Sequence, residues 1–90
     1  MPDSVPVATP RLLLVDDDRA FRVSTSALLR EEGYRVVEAE DGQGAVEALE
    51  GGGFDLILLD LRMPGIDGIR LVEVLRRWGE GTPILMISGF

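Results

Sequence analysis

The 90-residue chain contains no cysteine and no histidine. Without thiols there is no disulfide framework and no thiolate chemistry. Without thiols or imidazoles, the usual ligand set of zinc is missing as well. Lysine is also absent: all 9 basic residues are arginine, against 16 Asp and Glu, for a net charge of −7. A chain this acidic lacks the basic surface that a phosphate backbone or an anionic membrane requires, so direct contact with nucleic acid or membrane is not expected. No apolar run approaches the length of a membrane-spanning helix. The first ten residues, MPDSVPVATP, have neither the basic start nor the apolar centre of a signal peptide, which makes the cytoplasm the expected compartment.

What is present is an ordinary balance for one small soluble domain, 46% hydrophobic and 28% charged. Residues 1–10 hold three of the five prolines and no periodicity, and are expected to form a flexible tail. A strand follows at Leu12–Val15 and runs into Asp16, Asp17 and Asp18. Phe21, Thr25, Leu28 and Leu29 then fall on one face of a helix that Asp18 caps and Gly33 stops. The stretch YRVVEA is a more polar strand, expected at a sheet edge. Asp41 caps a short helix with Ala45, Ala48 and Leu49 on its inner face, and three glycines at 51–53 end it. Residues 54–59 form a third strand that delivers Asp60 at its tip. Asp67 caps a third helix with an inner stripe of Gly68, Leu71, Val72 and Leu75, and TPILMIS is a fourth strand opened by Pro83. Phe21, Phe54 and Trp78 are expected in or near the core, and Glu31, Glu32, Arg76 and Arg77 at solvated helix ends.

The order βαβαβαβ means parallel strands joined by helical crossovers, and continuously apolar strands mean a sheet covered on both faces. In such open α/β sheets ligands bind beyond the carboxyl ends of the strands, where strand order reverses. With strand order 2-1-3-4, the first and third strands are neighbours about 4.8 Å apart, and Asp16, Asp17 and Asp60 share one crevice. Two unit charges about 4 Å apart repel by about 4 kcal/mol at an effective dielectric of about 20. Three clustered carboxylates therefore either raise their own pKa values or recruit a cation. With oxygen ligands alone the cation is a hard one, and Mg²⁺ suits carboxylates, waters and a phosphate. A carboxylate beside such a metal can act as nucleophile toward a phosphoryl group and form an aspartyl phosphate. Acids that follow a strand are often mere helix caps, which is the preferred reading of Asp18, Asp41 and Asp67. The segment DGQGA at 41–45 lacks the third glycine of a dinucleotide loop and follows the wrong strand, so it reads as a turn and cap.

Three segments together, LLLVDDD, LILLDLRMPGIDG and PILMISG, resemble the receiver domain of two-component response regulators over Arg11 to Phe90. The resemblance implies a flavodoxin-like, doubly wound sheet, from which the order 2-1-3-4 is borrowed. It implies that Asp60 is the phosphoacceptor, charged by a sensor histidine kinase or a phosphotransfer protein. Asp17 matches the principal Mg²⁺ ligand, and Asp16 its neighbour that acts through metal-bound water. Arg62 matches the position that lends the metal its backbone carbonyl. Ser88 matches the hydroxyl that hydrogen-bonds a phosphoryl oxygen, and Gly89 the small residue whose backbone N–H faces it. No enzymatic turnover is implied beyond Mg²⁺-dependent self-phosphorylation.

The family pattern continues with a fourth helix, a fifth strand and a fifth helix, and places a lysine at the end of the fifth strand. Residues 11–90 are accordingly expected to be an incomplete receiver domain, truncated after the fourth strand. Ile84–Ile87 would then be an open apolar edge, a template for self-association. The alternative function is a receiver that no longer switches and serves as a protein-protein interaction module. A phosphatase of the aspartate-nucleophile type fits less well, because its nucleophile would follow the first strand in a DxD motif and DDDRA matches that poorly.

Overall fold

The computed structural model describes residues 9–60, 68–78 and 81–87. Seven elements follow in the order β1 (Arg11–Val15), α1 (Arg19–Glu31), β2 (Arg35–Ala39), α2 (Gly42–Glu50), β3 (Leu56–Asp60), α3 (Gly68–Trp78) and β4 (Ile84–Ile87). The strands form one parallel sheet in the order β2-β1-β3-β4, with the polar β2 at an edge as expected. This is the flavodoxin-like arrangement anticipated from the sequence.

Parallel strands need covering on both faces, and the alternation of side chains divides the core in two. Leu13, Val15, Ile57 and Leu59 point to one face, where they pack with Ala45 and Leu49 of α2 and Leu75 of α3. Leu12, Leu14, Val36 and Leu58 point to the other face, where Leu29 of α1 packs against them. An unbroken apolar strand is thus two alternating half-strands, each with its own helix layer. Phe54 is buried as expected, although it precedes β3 rather than belonging to it.

The helix ends follow the local chemistry. Asp18 caps α1 by accepting the Phe21 backbone N–H at 3.1 Å, and Asp41 caps α2 by accepting the Gly44 N–H at 2.7 Å. Helix α1 ends with Gly33 at φ 97°, a left-handed conformation natural to glycine. There Gly33 N–H donates to the Arg30 carbonyl and Tyr34 N–H to the Leu29 carbonyl, which satisfies two carbonyls of the last turn. The expected Asp67 cap, the flexible tail before Thr9, and the core role of Trp78 lie outside the described residues or side chains.

One expectation about packing is corrected. Of Phe21, Thr25, Leu28 and Leu29, the expected inner face of α1, Thr25 and Leu29 are half-buried, but Phe21 and Leu28 are 38% and 64% exposed, and Val23 is exposed too. The inner face carries Arg22, Thr25, Ser26 and Leu29, with Ser26 fully buried. The helix is turned so that a small side chain meets the sheet and an arginine meets the strand tips. Its apolar residues were the wrong guide because α1 leaves an apolar stripe facing out.

Candidate functional site

Register builds the site before any side chain is considered. Val15 of β1 lies opposite Leu59 of β3, so the next residues of the two strands, Asp16 and Asp60, emerge side by side at the carboxyl end of the sheet. Asp60 is also the last paired residue of β3, opposite Ile87 of β4. Both carboxylates are buried, Asp16 at 0% and Asp60 at 1% exposure. Asp17 follows on the loop and faces solvent. One carboxylate oxygen from each of Asp16, Asp17 and Asp60 lies within 4.8 Å of the others.

Asp16 is fixed by its backbone and its side chain together. Its N–H donates to the Ala39 carbonyl at 3.0 Å, which extends the β1–β2 ladder by one residue. Its Oδ1 accepts the Asp18 backbone N–H at 2.9 Å, and this closes the loop into the α1 cap. Its carbonyl accepts from Arg22 Nη1 at 2.7 Å. Arg22 Nε in turn donates to Glu38 of β2 at 3.1 Å, and Arg30 Nη2 stands 3.7 Å from the same carboxylate.

The three acids named from the sequence are therefore brought together. Arg62, Ser88 and Gly89 lie outside the described residues. Asp18 and Asp41 are caps, as expected. Arg22 and Glu38 were not foreseen. The signal was available in the sequence: helical side chains lean toward the helix N-terminus, so an arginine four residues after a capping aspartate reaches back to the strand tip.

The donor set consists of oxygens only, from three acids at one point. This fits a hard divalent cation better than a soft one. Two buried carboxyl groups side by side gain most from such a cation, since burial reduces screening by water. Asp60 stands buried at the tip of a central strand beside Asp16, and Asp17 opens the group of acids to solvent.

Comparison with known proteins agrees with the fold. The model of the response regulator receiver domain matches residues 12–90. The transcriptional activator protein PfeR of Pseudomonas aeruginosa is 43% identical over 84 residues, which is 93% of this chain and 27% of PfeR. The chain thus spans little more than a quarter of that curated relative. The receiver domain from the hybrid histidine kinase CckA superposes with a TM-score of 0.80 at 42% identity, over 88% of this chain and 75% of that one. The response regulator TrrA of Thermotoga maritima, solved in complex with Mg(2+)-BeF, superposes with a TM-score of 0.80 at 33% identity, over 91% of this chain and 71% of that one.

Proposed function

This chain belongs to the response regulator receiver domain family, and on that premise we propose that Asp60 is the phosphoacceptor of a two-component phosphorelay. The observation that carries the proposal is the convergence of Asp16, Asp17 and Asp60 within 4.8 Å, with Asp60 buried at a central strand tip. An Asp60 carboxylate oxygen attacks the phosphorus of a phosphohistidine. The P–N bond breaks, its electron pair returns to the imidazole, and an aspartyl phosphate remains.

Mg²⁺ bound by Asp16, Asp17 and Asp60 would supply the positive charge that offsets a phosphoryl group of about −1.5 to −2 in an acidic crevice. Asp17, exposed at the rim, is the ligand a cation meets first. Asp16 is held by three backbone-linked bonds and orients the site from below. The Arg62 backbone carbonyl, the Ser88 hydroxyl and the Gly89 N–H complete the proposed site by resemblance. TrrA, a similar response regulator solved in complex with Mg(2+)-BeF, supports the choice of metal.

The donor in this scheme is a sensor histidine kinase or a phosphotransfer protein, and a cytoplasmic location goes with it. CckA, a hybrid histidine kinase whose receiver domain resembles this chain, supports a kinase as partner. Among the described residues no helix is long and apolar enough to cross a membrane. A second feature concerns the sheet edge. Leu85 and Met86 of β4 are 54% and 52% exposed, and as adjacent residues they open both faces of that edge. We therefore add self-association through β4 as a property of the isolated chain.

Incubation with acetyl phosphate and Mg²⁺, followed by intact mass, tests the assignment. The expected result is a gain of one phosphoryl group that chelation of the metal prevents. A folded, Mg²⁺-saturated chain that gains nothing at any donor concentration contradicts it.

A further inference from the structure

We infer that Arg22 is the positioning residue of the acidic site, acting through the Asp16 backbone rather than by touching a ligand. This rests on the metal-site proposal above, and its test separates the two. The Arg22 side chain is only 12% exposed and its guanidinium is forked between two elements. Nη1 donates to the Asp16 carbonyl at 2.7 Å, and Nε to Glu38 Oε1 at 3.1 Å. The Asp16 carbonyl belongs to the peptide that joins Asp16 to Asp17. Fixing that carbonyl sets the direction in which Asp17 leaves the strand and keeps Asp16 Oδ1 under the Asp18 N–H at 2.9 Å. Glu38 lies on β2, whose neighbour Ala39 holds the Asp16 N–H at 3.0 Å. The peptide units on either side of Asp16 are thus clamped from β2, one directly through Ala39 and one through Glu38 and Arg22. Outer groups that orient metal ligands are worth about 10- to 100-fold in metal affinity.

A cation near a metal site also repels the metal, and the two effects have opposite signs. If Arg22 acts only as a charge, its removal tightens Mg²⁺ binding. If it acts as a clamp, its removal weakens binding despite the lost repulsion. Lysine preserves the charge but presents a single ammonium in place of the planar fork, so it cannot reproduce both bonds in the same geometry. Arg30 supplies the control, since it lies on the same helix and 3.7 Å from the same Glu38 but donates its hydrogen bond to the Val36 carbonyl at 2.9 Å.

The experiment uses the full chain. Mg²⁺ affinity is measured by calorimetry for wild type, Arg22→Met, Arg22→Lys and Arg30→Gln, with folding checked by circular dichroism. Amide hydrogen exchange at Asp17 and Asp18 is measured on the same proteins without metal. Both Arg22 variants are expected to bind Mg²⁺ about tenfold more weakly or worse, and the Asp18 amide to lose protection. Arg30→Gln is expected to keep both. Folded Arg22→Met with wild-type or tighter Mg²⁺ binding and unchanged Asp18 protection overturns the inference. If wild type binds no Mg²⁺, the metal-site proposal fails, and Asp18 protection in the metal-free Arg22 variants still decides whether Arg22 positions the loop. Loss of protection in Arg30→Gln equal to that in Arg22→Met also overturns it, because the effect would then belong to helix packing in general.

Discussion

Asp16 and Asp60 are fully buried acids side by side, and a fold keeps such a pair only where something else compensates. Metal-free and metal-bound stability should therefore respond in opposite ways to removing one of them. In the presence of chelator, Asp60→Asn is expected to raise stability by about 1 kcal/mol, because one like-charge contact disappears. In saturating Mg²⁺ the same variant should lose stability relative to wild type, because a ligand is gone. Urea unfolding with and without Mg²⁺ reads both signs, and equal shifts under the two conditions would speak against a shared cation. Ser26 offers a second test at this scale. Its hydroxyl is buried on α1 with no hydrogen-bond partner among the described residues. Ser26→Ala removes an unsatisfied polar atom and adds helix propensity, so stability should stay level or rise by up to about 1 kcal/mol. A loss of several kcal/mol would mean the hydroxyl has a partner that matters.

Among the elements, the strands and the ends of α1 were legible in the sequence, while the inner face of α1 was legible only in part. A central parallel strand shows its burial as a continuous apolar run, and an acid at its end then stands out; this is how Asp16 and Asp60 could be found. Capping aspartates were equally plain, since Asp18 and Asp41 each sit three residues before an amide that their side chains accept. Helix α1 misled because hydrophobic periodicity assumes that the apolar face is the inner one. Here the inner face is Arg22, Thr25, Ser26 and Leu29, while Phe21, Val23 and Leu28 face out. Polar Arg22 and Ser26 take inner positions on that helix, and hydrophobic periodicity does not mark such positions. Strand β4 is the element with its own prediction. Leu85 and Met86 point to opposite faces and are both more than half exposed. Leu85→Lys with Met86→Lys should reduce concentration-dependent association in sedimentation while the circular dichroism spectrum stays the same. Association that persists in the double variant would place the contact elsewhere, with the exposed apolar side of α1 the next surface to test.

At the scale of the whole molecule, the sheet is a rigid frame that brings three acids from two strand tips to one point. Far from that point the frame is locked by Arg11. Its N–H donates to Asp55 at 2.8 Å, its guanidinium donates to the Gly52 carbonyl at 2.6 Å, and the same group lies 4.4 Å from the centre of the Phe54 ring. Arg11→Ala should cost about 1–3 kcal/mol of stability and leave Mg²⁺ affinity alone, because the lock and the site occupy opposite ends of the strands. Binding at the acidic end should propagate to the whole fold by mass action: Mg²⁺ at about 100 times its Kd is worth about 2.7 kcal/mol, read as a rise in the unfolding midpoint that chelator reverses. The net charge of −7 works in the same direction, since a bound divalent cation lowers the self-repulsion of the chain.

The central claim is that the phosphoryl group resides on Asp60 and on neither neighbouring acid. Reductive trapping tests it most directly. The chain is incubated with acetyl phosphate and Mg²⁺, treated with borohydride, which converts an aspartyl phosphate to homoserine, digested, and sequenced by mass spectrometry. Homoserine at position 60, with aspartate intact at 16 and 17 and no conversion in Asp60→Asn, is the predicted result. Homoserine at 16 or 17 in the wild-type chain, or no conversion in a folded chain shown to bind Mg²⁺, would contradict it.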